Sequence, residues 1–170
     1  MSRLMNMLTR GVVALAKSTG KLQTLQMRLT AGEVKDAMEH LEPYGYTSCP
    51  HEGAEGLAAF LGGDRSHGVV LVVADRRYRI KGLQAGEVAI YTDEGDKIHF
   101  KRGRIIDIET GTLNITATAG VHFDTPTITQ TGEIVSQGDQ IAGGVSQMTH
   151  PHGGVQRGSG QTDGPIGGGA

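Results

Sequence analysis

Large side chains are scarce. In 170 residues there is no tryptophan, with only four tyrosines and three phenylalanines, too few to fill an ordinary single-chain core of this length. A single cysteine, Cys49, excludes an intrachain disulfide. No apolar run approaches the eighteen or so residues of a membrane helix, so no membrane-embedded chain is expected. A formal net charge of -2 excludes a chain built to coat nucleic acid by bulk charge. What the sequence has instead is glycine, 27 residues of it.

The first residues offer Ala14-Leu15-Ala16 as an apparent cleavage site, but Arg10 interrupts the apolar stretch and export by a cleaved signal peptide is not expected. Leu4, Leu8, Val12 and Leu15 recur at helical spacing. The expectation for residues 1–24 is an amphipathic helix or a disordered segment.

Composition then splits the chain near Thr110. Up to Glu109 there are fifteen basic and fourteen acidic residues, whereas beyond it only Asp124, Glu133, Asp139, Arg157 and Asp163 are charged. Short strand-like runs fill residues 25–109: Leu25–Leu29, Tyr44–Ser48, Gly68–Ala74, Tyr78–Ile80, Glu87–Tyr91 and Lys97–Phe100, separated by glycine and aspartate turns. The continuous run Val69–Val73 reads as a strand covered on both faces, and Glu33–Leu41 as one short helix. Together they predict a small antiparallel barrel or sandwich, with a five-strand barrel of the oligonucleotide/oligosaccharide-binding (OB) type fitting the count.

Residues 110–148 follow a different rule. Leu113, Ile115, Ala117, Ala119, Val121 and Phe123 alternate with Thr112, Asn114, Thr116, Thr118 and His122, a strict period of two. Ile128, Ile134, Ile141 and Val145 continue the apolar side between glycines. A lone copy of such a stem has nothing against which to lay its apolar stripe, and its open edges would invite aggregation. Identical copies wound around one axis solve both problems, most simply as a homotrimer. A disordered glycine- and threonine-rich tail would not need the alternation.

The chemistry is concentrated in residues 149–170, at Thr149-His150-Pro151-His152-Gly153-Gly154. In an extended backbone His150 and His152 share a face, and Pro151 restricts the chain between them. One chain supplies two nitrogen ligands, too few for a tight site, whereas three supply six. An all-imidazole cage suits iron, nickel or cobalt better than calcium or magnesium, which prefer oxygen, and zinc normally stops at four ligands.

These parts, in this order along essentially the whole chain, resemble the central-spike proteins of contractile-tailed bacteriophage baseplates, the baseplate assembly protein V family, and within it the spikes of Mu-like phages. The resemblance implies an all-β homotrimer: an OB-type barrel attached to the tail hub protein, a triple-stranded β-helix, and a pointed tip. It implies one iron ion held by His150 and His152 of three chains. Some relatives also hold calcium and chloride, and Asp139, flanked by Gly138 and Gln140, is the acidic residue to which calcium would fall. The implied location is the tail baseplate tip of the virion, after synthesis in the host cytoplasm, and the implied task is mechanical: sheath contraction drives the spike through the host outer membrane.

Two other functions are weighed against the residues. Arg76, Arg77, Arg79 and Lys81 surround Tyr78, a strip that a barrel could use to bind single-stranded nucleic acid. A trimeric left-handed β-helix acyltransferase would also place histidine near a subunit boundary, but its repeated hexapeptide is absent. Asp64, Ser66 and His67 lie too close together on a glycine turn to form a nucleophile and base. No enzymatic activity and no nucleic-acid partner are expected.

Overall fold

The computed structural model describes residues 7–154 and residue 158. Among the described residues ten strands follow one another: β1 Leu8–Lys17, β2 Gln23–Arg28, β3 Val34–His40, β4 Glu55–Phe60, β5 Gly68–Ala74, β6 Val88–Tyr91, β7 Lys97–Lys101, β8 Ile105–Glu109, β9 Ile141–Ala142 and β10 Val145–Ser146. Single 3₁₀ turns at Thr30–Gly32 and Leu61–Gly63 are the nearest thing to helix among the described residues. The chain divides into two units, residues 1–115 and 116–170.

In the first unit, β1 to β5 close into a barrel in the order β1-β2-β3-β5-β4. Closure comes from β4, which pairs antiparallel with β1 from Leu8↔Ala59 to Val12↔Glu55, while β3 and β5 form the barrel's one parallel pair. Its interior holds Val13, Leu25, Met27, Leu29, Met38, Ala54, Ala58, Phe60 and Val70, all buried. The bore is narrow. A Cβ added at Gly11 would stand 2.7 Å from the Arg28 carbonyl oxygen, and one at Gly68 would meet the Phe60 ring at 2.5 Å. Small residues on the inner face are therefore what lets five strands close at all.

Several expectations are corrected here. Leu8–Lys17 is not a helix but a barrel strand, with Thr9, Gly11 and Val13 turned inward between Leu8, Arg10 and Val12. Hydrogen bonding to β2 on one edge and β4 on the other overrides the helical spacing of its leucines, since an isolated short helix offers no comparable burial. The barrel accordingly begins near residue 8 rather than 25 and its last strand ends at Ala74. Residues 1–6 lie outside the described residues. Glu33–Leu41 likewise forms strand β3, which buries Met38 and His40 and turns through Ala37 at φ 51°. Glu55–Phe60 and Ile105–Glu109 are strands as well, whereas Tyr44–Ser48 and Tyr78–Ile80 are turns and loops. Strand β5 is covered on one face only: Val70 is fully buried, but Leu71 and Val72 face solvent.

The last part of the first unit is a three-stranded antiparallel sheet, β6-β7-β8. Its register sets Val88 against Phe100 and Phe100 against Ile106, then Ile90 against Ile98 and Ile98 against Ile108. Directly opposed residues share a face, so one side of this sheet is entirely apolar. The other side carries Lys97 paired with Glu109 and Lys101 paired with Asp107. His99 also lies there, 3.3 Å from Glu87, whose carboxylate accepts from the backbone N–H groups of Gln84 and Arg102.

Candidate metal-binding apex

In the second unit the tip is organised by a hairpin. Gly143 and Gly144, at φ 57° and 82°, form the two-residue turn between β9 and β10. Two consecutive left-handed residues give the turn whose twist matches the strands it joins, and glycine adopts both without strain. The hairpin returns the chain so that Ser146 lies opposite Ile141 and the Gln147 N–H donates to the Gln140 carbonyl at 2.9 Å.

From there the backbone folds back on itself. The Thr149 N–H donates to the Ser146 hydroxyl oxygen at 2.9 Å, and Nδ1 of His150 lies 2.6 Å from the Ser146 carbonyl oxygen. A carbonyl can only accept, so Nδ1 carries a proton, and in a neutral ring the lone pair falls on Nε2. That is the arrangement in which metal-binding histidines are usually held, the second nitrogen fixed by a backbone or carboxylate oxygen. His152 stands beside it, the ring centroids 4.8 Å apart and the planes inclined at 67°. Both rings are exposed.

The two histidines that the sequence singled out are thus together on one side of an exposed chain. Among the described residues there is no group of three or more histidine, cysteine, aspartate or glutamate side chains able to hold a metal. Among the described residues, one chain offers an imidazole pair here and no more. The donor set itself, two imidazole nitrogens per chain, fits a late first-row transition ion. The rest of the expected tip, residues 155–157 and 159–170, lies outside the described residues.

Asp139 is exposed and engaged within its own chain. Its Oδ1 accepts from the Met148 N–H at 3.1 Å. The Ser146 hydroxyl above all, and then that N–H, hold its carboxyl below the ordinary aspartate range. What the sequence could not show is this link, because it joins residues nine apart through a hairpin whose only signal is Gly143-Gly144.

The basic strip is largely committed elsewhere. Arg77 is bonded to the Asp75 carboxylate and to the Glu52 carbonyl, and Arg76 shares Glu55 with Arg10. Arg79 donates to the Ile80 carbonyl, and Tyr78 stands against the His51 ring with centroids 5.4 Å apart. Cys49 is an exposed free thiol.

Comparison with known proteins agrees with this arrangement of parts. Residues 10–77 match the family described as Bacteriophage Mu Gp45, N-terminal, and residues 144–165 match the GpV Apex motif, which spans the histidine pair. The chain is 36% identical to the baseplate puncturing device gp45 of Escherichia phage Mu over 184 aligned positions, covering 98% of this chain and 91% of that protein. It is 35% identical to the Mu-like prophage FluMu protein gp45 of Haemophilus influenzae, covering 86% of each. A barrel matched by the one profile, an apex matched by the other and identity sustained across almost the full length lead to one conclusion: the chain belongs to the phage Mu gp45 family.

Proposed function

We propose that this chain is the puncturing spike of a contractile phage tail baseplate. Three copies wind into a triple-stranded β-helix, an OB-type barrel attaches to the tail hub, and sheath contraction drives the tip through the host outer membrane. The role is mechanical rather than catalytic. His150 and His152 of each copy hold one iron ion, which would cross-link the three chains where they converge. An acidic site for calcium falls to Asp139, since three carboxylates around one axis are an oxygen set that a hard cation accepts. Chloride has no residue assigned to it.

One observation carries the reading: the apolar surface this chain leaves in water. Val88, Ile90, Ile98, Phe100, Ile106 and Ile108 form one sheet face and are each between 38% and 59% exposed. Leu113, Ile115, Val121, Phe123, Ile128, Ile134, Ile141 and Val145 continue the series, all exposed. Among the described residues, no backbone-to-backbone hydrogen bond is made within 112–139. A backbone that can pair and a side-chain row that can be buried, both left open over so long a stretch, are completed by other strands of the same kind. Copies of this chain provide those strands, and the name of the Escherichia phage Mu relative supplies the task.

Sedimentation of the full chain, purified without a histidine tag, should give a trimer, with about one transition-metal ion per three chains by elemental analysis. The His150→Ala, His152→Ala double variant should remain trimeric and lose the metal. A stable folded monomer would overturn the spike reading, and metal retained by the double variant would overturn the assignment of its ligands.

A further inference from the structure

We propose that the first unit carries a binding site for an acidic saccharide, with sugar rings lying on tyrosines beside the barrel and the acid group held by neighbouring arginines. The inference is independent of the spike reading and of the metal. Aromatic side chains are scarce in this chain, yet three of its four tyrosines, Tyr46, Tyr78 and Tyr91, line one cavity of about 510 Å³. That size falls within the range of small-ligand sites, about 300 to 1,000 Å³. All three rings are exposed. They come from the loop before β4, the segment after β5 and the end of β6, which meet here.

The walls of the cavity are tied together. Nε2 of His51 lies 3.1 Å from the Asp93 carboxylate, joining the loop before β4 to the turn between β6 and β7. Arg77 bonds both the Asp75 carboxylate and the Glu52 carbonyl, and its guanidinium lies 5.3 Å from the centre of the Tyr78 ring. Register puts the cavity on the open side of the sheet. Tyr91 pairs with Lys97 and Ala89 with His99, so both point away from the apolar face that carries Val88 and Ile90. Covering that face with other copies leaves Tyr91 within reach of a ligand.

A sugar ring is apolar on its faces, where C–H groups line up, and polar around its rim. Exposed tyrosines suit the face, while carboxylates and hydroxyls suit the rim. Asp93, Thr47 and Ser48 stand among the tyrosines to serve it. The acid group follows from a groove alongside, about 700 Å³, which shares Val73, Asp75 and Tyr91 with the cavity. Arg10, Arg76 and Arg79 line this groove, and Arg10 and Arg76 divide one carboxylate, that of Glu55. Asp75 is taken by Arg77, and Arg79 donates to a neutral carbonyl. The surplus charge is therefore positive and made of guanidinium, whose fork matches a carboxylate or a phosphate. A single-stranded nucleic acid would meet the same arginines, but its phosphates would also have to pass Asp93.

Isothermal titration of the full-length protein at low ionic strength, with trigalacturonate, maltotriose and oligothymidylate as probes, tests the site. Trigalacturonate should bind, and maltotriose about tenfold more weakly, since only the first has an acid group for the arginines. Arg79→Gln removes an exposed charge that no core residue needs. It should bring trigalacturonate down to the level of maltotriose and leave maltotriose unchanged. Tyr46→Ala, on an exposed loop, should weaken both sugars by about tenfold, the scale of a lost aromatic contact. Tyrosine emission, unobscured because the chain has no tryptophan, should change saturably with both sugars in the wild type.

The proposal is overturned if trigalacturonate does not bind, or if either Arg79→Gln or Tyr46→Ala binds it as the wild type does. It is equally overturned if oligothymidylate binds more tightly than trigalacturonate and loses affinity in the same two variants, because the groove would then be a nucleic-acid interface.

Discussion

Phe100 of β7 lies directly opposite Ile106 of β8 and on the same face of the sheet, and both side chains face solvent, 43% and 58% exposed. Strands normally put such a pair into a core. Here the polar residues of the same strands are already satisfied by Glu109, Asp107 and Glu87 on the reverse side. The apolar face is consequently the one that remains to be covered, and the trimer reading covers it with the same face of two further copies. Replacing Phe100 by Glu should leave the barrel folded, because no barrel core residue belongs to this face. Three charges would then be brought together in an apolar interface, at a cost of several kcal/mol. Sedimentation should shift from trimer toward monomer at micromolar concentration, while circular dichroism keeps the barrel's β signal. A Phe100→Glu protein that stays trimeric would remove this sheet from the interface.

The Ala37 backbone sits in the left-handed region at φ 51°, between a buried Met38 and an Asp36 whose carboxylate accepts the Ala37 N–H at 2.9 Å. The register of β2 against β3 slips near here, between Leu25 and Met27. An alanine in this conformation carries a local strain that glycine does not, partly offset by glycine's greater freedom when unfolded. Ala37→Gly should therefore stabilise the barrel by about 0.5 to 1 kcal/mol. The denaturant midpoint of the barrel transition, followed by tyrosine fluorescence, checks the sign. A loss of stability would mean that the bend in β3 is not strained.

How much of this was readable beforehand depends on which force decides each segment. The histidine pair at 150 and 152 and the period-two row from Leu113 to Phe123 are local patterns, and local patterns survive in a sequence. Strand β1 does not show itself because both its edges are used, by β2 and β4, and partners 45 residues away overrule the spacing of Leu8, Val12 and Leu15. Strand β3 has Val34, Lys35, Asp36, Ala37, Met38 and Glu39, a composition as suited to a helix as to a strand, and pairing again decides. The apolar face of β6–β8 was half visible, since Ile98 and Phe100 alternate with Lys97, His99 and Lys101. What aligned it with Val88, Ile90, Ile106 and Ile108 was the register, which no single strand contains. The tie from Asp139 to Met148 depends on a turn of two glycines, and a pair of glycines in so glycine-rich a chain carries little information.

The same reasoning gives a pH dependence to the barrel. His40 is buried, and its Nδ1 donates to Oε1 of Gln23 at 3.0 Å, while Gln23 Nε2 donates to the Ser48 carbonyl at 2.7 Å. Burial disfavours the imidazolium and lowers the pKa of His40 from its ordinary 6.5, and the nearby Glu42 carboxylate opposes the shift without reversing it. Folded chains therefore bind fewer protons at this site than unfolded ones, and stability rises with pH wherever that difference persists. The contribution is complete above about pH 6.5, the value of an unfolded histidine, and is lost as the pH falls toward the lower folded value. Hydrogen exchange of the β2 and β3 amides in the full-length protein, corrected for intrinsic rates, should show easier opening at pH 5.5 than at pH 7.5. His40→Gln, which keeps a donor for Gln23 but cannot titrate, should flatten that difference without abolishing protection at either pH. If the difference between the two pH values persists undiminished in His40→Gln, the titrating group lies elsewhere, and the buried pair of His40 and Gln23 is only a structural hydrogen bond.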